Sequence, residues 1–224
     1  MMEDNNREKD DDDDDDDNGV TNRDKLPQPM VDRSKLSIYN ILKQCVDKEL
    51  YRFTLPIIWN EPLSLLQRMA ENTKYANSIL SKAAISKDPI ERMKLIATYI
   101  VSSISMHGNR LSKPFNPLLG ETYELSRDNY HICLEQVSHH PPISAFYAES
   151  LEKKWKYYGS VHPQLRLNLL NASVEAVPEG IQAIEFPELD EIYTWNNVKV
   201  NAHNLLSKKI FNFHLFKIFY TPFY

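Results

Sequence analysis

From Glu121 onward one pattern repeats: short segments rich in aromatic and β-branched residues, alternating in polarity and separated by brief connections. They are Tyr130–Val137, Ile143–Ala148, Lys156–Val161, Leu165–Leu169, Ser173–Val177, Ile181–Phe186 and Glu191–Trp195. A period of two places successive side chains on opposite faces, so each segment reads as a strand with one buried face. Turns are expected at Ser126–Asn129, at Asn171 and at Pro178–Gly180. No helical pattern lies between the strands, which argues against a parallel α/β sheet. The pattern predicts an antiparallel meander that curls toward a barrel.

The preceding part has helical spacing. Ile38, Ile41, Leu42, Cys45, Val46 and Leu50 define a short amphipathic helix, with order beginning near Ser34. Asn60 is expected to cap a helix with Pro62 in its first turn, running through Leu63, Leu66, Met69 and Ala70 toward Ala84. Asp88 and Glu91 read as a capping box around Pro89, leading into Met93, Ile96, Ile100 and Ile104. A loop from His107 to Gly120 closes this part. The fold class is therefore α+β, with N-terminal helices followed by the meander.

With 224 residues, 42% of them hydrophobic, the chain has enough apolar material for one domain after a disordered start. Residues 1–17 hold eleven acids against Arg7 and Lys9, so the net charge of -5 resolves into -9 there and +4 from Asn18 onward. Residues 1–30 read as a disordered acidic tail, the Asp10–Asp17 run as a solvated, repulsive block. A calcium site needs spaced ligands and a turn glycine, which this run lacks. The mildly basic remainder favours anionic membrane surfaces and carries no nucleic-acid motif. Cys45 and Cys133 lie far apart and no signal peptide precedes them, so a cytoplasmic protein with reduced thiols is expected. No apolar run approaches the length of a membrane span, and membrane contact is expected to be transient and peripheral.

Two proline-braced segments hold the chemistry. Glu135-Gln-Val-Ser-His-His-Pro-Pro-Ile-Ser144 places Ser138 and two imidazoles beside prolines that restrict the backbone. Lys113-Pro-Phe-Asn-Pro-Leu-Leu-Gly-Glu121 displays an ammonium and an amide on a loop stiffened by Pro114 and Pro117, with Gly120 permitting a sharp turn. Lys supplies a mobile point charge suited to phosphate, and Asn a directional donor. Together the segments point to one shared site for an anionic headgroup.

The competing chemistries fit less well. Adjacent histidines in an extended stretch point to opposite sides, and no zinc-type spacing accompanies them. Ser138 lacks a nucleophile elbow, and a neighbouring histidine rarely has the geometry to activate it. Histidine phosphotransfer rests on ordinary imidazole chemistry alone. No catalytic residues, cofactor or metal are expected, and the chain reads as a non-enzyme. Glu185–Glu191 reads as a solvated turn, and Asn171-Ala-Ser173 as an unused glycosylation sequon.

Glu135–Pro142 resembles the fingerprint of the oxysterol-binding protein family of lipid-transfer proteins, and Lys113–Glu124 is similar to that family's other characteristic segment. Asn60–Arg68 and Tyr193-Thr-Trp195 match it as well, and the likeness runs from about Leu26 to Asn204. The resemblance implies an incomplete antiparallel barrel around a hydrophobic tunnel holding sterol or a phosphoinositide such as phosphatidylinositol 4-phosphate. By the same resemblance, His139, His140, Lys113 and Asn116 contact the headgroup, with a backbone donor at Phe115. Ile38, Ile41, Leu42 and Val46 belong to a region covering the tunnel mouth.

The resemblance also implies a short family member, without a pleckstrin-homology domain, whose likeness stops after Asn204. The expected organisation is a tail at 1–30, a partial lipid-binding domain at 31–204 and a divergent aromatic, basic segment at 205–224. That last segment is expected to replace the second half of the barrel. A second reading makes it an amphipathic membrane-binding tail through Leu206, Ile210, Phe213 and Phe216 with Lys208, Lys209 and Lys217. A barrel stopping midway exposes a strand edge, through which oligomers could form. The expected function is lipid transfer between membranes. The alternative is a ligand-free regulatory protein that competes for partners.

Overall fold

In a computed structural model, residue 57 and residues 60–106, 112–168, 173–203, 210–213 and 218–222 are described. The expected helix around Ile38–Leu50, residues 1–30, Cys45 and Asn171 lie outside them. So do Leu206, Lys208, Lys209, Phe216 and Lys217 of the C-terminal segment.

Ser64, rather than Asn60, opens the first helix. Gln67 N–H donates to Ser64 Oγ at 3.3 Å, and Ser64 N–H donates to Gln67 Oε1 at 2.9 Å. This reciprocal cap satisfies two otherwise orphaned donors. Asn60–Ser64 instead extends as strand β1, paired in parallel with β2 (Lys113–Phe115), an arrangement that tolerates Pro62 in a two-stranded edge. Helix α1 (Leu65–Ala70) gives way to a 3-10 turn at Glu71–Thr73 before α2 (Ala76–Ile85). Thr73 Oγ1 donates to the Ala70 carbonyl at 2.6 Å, the local side-chain bond that competes with helix continuation.

Helix α3 (Pro89–Ser105) starts where expected, with Pro89 in its first turn. Asp88 accepts from Ile90 N–H at 2.9 Å, but no capping box forms. Glu91 lies 3.3 Å from Lys94 Nζ instead.

The strands are β3 (Thr122–Arg127), β4 (Tyr130–His139), β5 (Pro142–Ser150), β6 (Lys156–Val161), β7 (Leu165–Asn168) and β8 (Ser173–Ala176). They continue as β9 (Ile181–Phe186), β10 (Glu191–Asn196), β11 (Val200–His203), β12 (Ile210–Phe213) and β13 (Ile218–Pro222). A seven-stranded sheet has the order β13-β10-β9-β6-β5-β4-β3, with every neighbouring pair antiparallel. A second sheet has the order β12-β11-β8-β7. The large sheet is thus open, and the α+β architecture is the one expected.

Two details differ from the simple meander. β7–β8 and β11–β12 leave the main sheet, and β9 and β13 return to it. The first return is tight. Gly180 has φ +116°, and a Cβ there would lie 2.2 Å from the Ser160 carbonyl oxygen, so the position requires glycine, while the turn expected at Pro178–Gly180 is replaced by an antiparallel bridge of Glu179 with His162. β3 also continues through Arg127, into the stretch expected to turn, and Asp128 takes the left-handed conformation at φ +51°. Ile210 and Phe213 lie in β12, paired with β11.

The helices cover one face of the main sheet. Leu66, Leu80, Ile96, Tyr99 and Ile100 pack with Tyr130, Ile132, Leu134, Trp155, Tyr157, Ile184, Phe186 and Tyr193 in one buried cluster. Burial of each large apolar side chain contributes about 1.5–3 kcal/mol. Polar contacts fix the orientation. Thr73 and Tyr130 hydroxyls meet at 2.9 Å, and Trp155 Nε1 donates to Ser81 Oγ at 3.2 Å. Arg92 Nε and Nη2 each donate to the Glu191 carboxylate at 2.6 Å. No helix among the described residues is long and apolar enough to cross a membrane.

Candidate functional site

The site begins with a register change in β4. Tyr130, Ile132, Leu134 and Gln136 alternate onto the buried face, opposite Ser150, Ala148, Phe146 and Ser144 of β5. The pairing then jumps: Ser138 faces Ile143 and His139 faces Pro142, leaving Val137 as the extra residue of a β-bulge. Cross-strand partners share a face, and Pro142 is buried in phase with Ser144. The bulge therefore carries His139 onto the buried side. Continued alternation would have put it outside with Glu135.

His139 is held there by the other segment. Its Nδ1 lies 3.0 Å from the Pro117 carbonyl oxygen. A carbonyl can only accept, so Nδ1 carries the hydrogen and Nε2 is left for another partner. His140 and Pro141 form the hairpin turn, and the His140–Pro141 peptide is cis. The two imidazoles meet edge to face with centroids 4.7 Å apart. The expectation that they point to opposite sides is corrected, because His140 belongs to the turn and not to an extended strand. Ser138 Oγ donates to the Pro141 carbonyl at 2.6 Å, giving that hydroxyl a turn-closing partner.

The Lys113–Glu121 segment runs from β2 into a turn locked against β4. Glu121 N–H donates to the Leu118 carbonyl at 3.0 Å, while Glu121 Oε2 accepts from Leu118 N–H at 2.9 Å. Gly120 occupies φ +76°, the left-handed position of that turn. Gly120 N–H donates to the Gln136 carbonyl at 2.9 Å, and Gln136 N–H to the Glu121 carbonyl at 3.0 Å. Lys113 is half-buried, paired with Asn60 through the backbone, whereas Phe115 and Asn116 are exposed. The structure thus joins the two segments through Pro117, Gly120 and Glu121. Ile38, Ile41, Leu42 and Val46, expected to cover the tunnel mouth, lie outside the described residues.

Sequence reasoning missed Glu121, which clamps the turn, and Gln136. Gln136 is fully buried, accepts from Ser144 Oγ, and among the described residues its Nε2 has no hydrogen-bond partner. A signal existed: residue 136 is in phase with Tyr130, Ile132 and Leu134, so an amide there had to be buried. Among the described residues no group of three or more His, Cys, Asp or Glu side chains is placed to hold a metal ion.

An open antiparallel sheet covered by helices, with a braced two-histidine hairpin at its rim, is the arrangement of a lipid-binding fold family. Residues 37–215 match the family model described as oxysterol-binding protein, and the chain belongs to that family. It is 45% identical over 196 residues to human oxysterol-binding protein-related protein 1, covering 86% of this chain and 20% of that protein. The structure of the Osh1 ORD domain in complex with ergosterol is similar at TM-score 0.80 and 36% identity, over 90% of this chain and 49% of that one. The Osh3 ORD from Saccharomyces cerevisiae, in complex with PI(4)P, is similar at TM-score 0.78 and 30% identity, over 90% and 54%. The chain therefore spans about half of the solved domains and a fifth of the human relative.

Proposed function

We propose that this chain binds a lipid with an anionic or hydroxylated head and carries it between membranes, with sterol and phosphatidylinositol 4-phosphate as the ligand classes. The observation that carries this reading is the bulge that turns His139 to the core side, with its Nδ1 committed to Pro117. Nε2 is then held in a fixed direction beside His140, as a headgroup site requires. In this reading Lys113, Asn116 and the backbone at Phe115 complete the phosphate contacts, and Ile38, Ile41, Leu42 and Val46 cover the bound lipid. The ligands named for Osh1 and Osh3 support both lipid classes. No bond is made or broken in such exchange. Apolar burial at about 25 cal/mol per Å² supplies the binding energy, and the polar rim selects the head. The proposed organisation is a tail at 1–30, the lipid-binding unit at 31–204 and a distinct segment at 205–224.

Incubation of the purified chain with vesicles carrying labelled phosphatidylinositol 4-phosphate or labelled sterol tests the reading. The chain should remove lipid from the vesicles, and H139A/H140A should lower phosphoinositide removal on the order of tenfold or more. Unchanged removal by the double variant overturns the headgroup assignment. A second reading, a regulatory protein that pairs with other chains, draws on the position of β13 at the outer end of the main sheet. An oligomeric chain that removes no lipid in the same assay favours it.

A further inference from the structure

We infer that the turn Pro117–Gly120 is a membrane-docking wedge, with Leu118 and Leu119 entering the acyl layer of the bilayer beside the headgroup site. The inference rests on the proposed lipid exchange and adds how the site meets its membrane.

Leu118 and Leu119 are 71% and 68% exposed, and Phe115 at the end of β2 is 42% exposed. Three large exposed apolar side chains fall within five residues of sequence, denser than the single, scattered ones normal for a surface. The tip does not present them on a slack loop. The Glu121 clamp, the Gly120–Gln136 bond and the Pro117–His139 bond fix the backbone, so the leucines are held outward.

The same bonds suit insertion of the side chains into lipid. Hydrocarbon offers no partners to backbone polar groups, so a loop entering it must have paired those groups internally. Leu118 N–H and carbonyl, Gly120 N–H and the Pro117 carbonyl have partners within the protein, so among the described backbone groups of the tip those of Leu119 are left to the hydrated headgroup layer while its side chain enters. Pro117 has no N–H to strand. Residue placement and charge agree with this. The wedge is separated from Lys113 by three residues and bonded to His139, and the chain from Asn18 onward is +4, favouring an anionic leaflet.

Flotation of the full chain with two vesicle types tests the inference: phosphatidylcholine alone, and phosphatidylcholine with phosphatidylinositol 4-phosphate. L118S/L119S is compared with wild type, with H139N/H140A and with L151S, which alters a leucine of similar exposure (66%) beyond the opposite end of β5. Loss of two leucine contacts should weaken binding to both vesicle types by about tenfold or more, while L151S matches wild type. H139N/H140A, in which the asparagine amide keeps the bond to the Pro117 carbonyl, should lose only the increment given by the phosphoinositide. Failure of that last result with L118S/L119S still defective removes the headgroup reading and leaves the wedge standing. Equal binding by L118S/L119S and wild type, equal loss in L151S, or no flotation of wild type overturns the wedge. So does a change in oligomeric state of L118S/L119S without vesicles, which would mean that a second copy covers the leucines.

Discussion

His139 Nδ1 donates to the Pro117 carbonyl across 22 residues of sequence, and this one bond joins the two proline-braced segments side chain to backbone. It commits Nδ1 to the fold and leaves Nε2 for the proposed headgroup role. Asparagine places its amide near the position of Nδ1, whereas glutamine reaches closer to that of Nε2. His139→Asn should therefore retain the tether and unfold in urea within about 0.5 kcal/mol of wild type, yet lose phosphoinositide removal. His139→Ala should lose both, at about 1 kcal/mol of stability for the missing hydrogen bond. If His139→Asn removes lipid as wild type does, Nε2 has no ligand role.

The Arg92–Glu191 pair connects the first turn of α3 to the start of β10. Its two 2.6 Å bonds lie in a nearly solvent-free setting, with Tyr193 Oη donating to Glu191 Oε2 at 2.8 Å. Burial pulls the guanidinium pKa down, but the bonds and charge of Glu191 outweigh it and leave the pKa raised. Arg92→Met strands a buried carboxylate and should cost about 3–5 kcal/mol. Adding Glu191→Gln should restore part of that loss, because the uncompensated charge is gone. Denaturant unfolding of the two single variants and the double variant checks the coupling. Strict additivity would mean the pair is not coupled.

Two substitutions four residues apart separate the helix start seen in the structure from the one expected of Asn60. Ser64→Ala breaks the reciprocal bond with Gln67 and should cost about 1 kcal/mol. Asn60 lies in β1, so Asn60→Ala should leave α1 intact and change stability by about 0.5 kcal/mol or less. Urea midpoints read both effects, and a larger loss at Asn60 than at Ser64 would reverse the assignment.

Ser64 also shows which parts of the fold were legible in the sequence. Both Asn60 and Ser64 are good capping residues. What decided between them was β1 pairing with Lys113–Phe115, roughly fifty residues away, which no local pattern reveals. Central strands such as β4 and β5 were readable because their alternation is strong, as Tyr130, Ile132 and Leu134 show. β3 was not, because as an edge strand it leaves Thr122, Glu124 and Ser126 exposed and only half-buries Tyr123 and Leu125. At the site, residue types were legible and orientation was not. Nothing in Gln136-Val-Ser-His139 announces the extra residue, and one extra residue exchanges the faces of everything after it. The motif therefore named the histidines, while the bulge decided where His139 points.

The buried tyrosines give the fold an alkaline limit. Burial pushes the Tyr193 phenol up to about 12 from its usual 10.0, with Arg92 opposing and Glu191 reinforcing the shift. Tyr99 and Tyr157, in edge-to-face contact at 5.3 Å, are also shifted upward, chiefly by burial. A phenol whose pKa is raised in the folded state stabilises the fold fully below the unfolded value of 10.0. That stability is lost as pH rises from there toward the folded value. In this window the unfolded chain has released protons that the folded chain retains, so stability falls by about 1.4 kcal/mol per pH unit for each such tyrosine. Unfolding free energy should therefore be flat with respect to these groups near neutrality and drop between pH 10.0 and about 12. Tyrosinate absorbance of the buried rings should appear together with unfolding. Tyr193→Phe should reduce the slope, while its lost bond to Glu191 costs about 1 kcal/mol at neutral pH. Stability that stays level to about pH 12, or full tyrosine ionisation near 10.0 without unfolding, would contradict the burial of these hydroxyls.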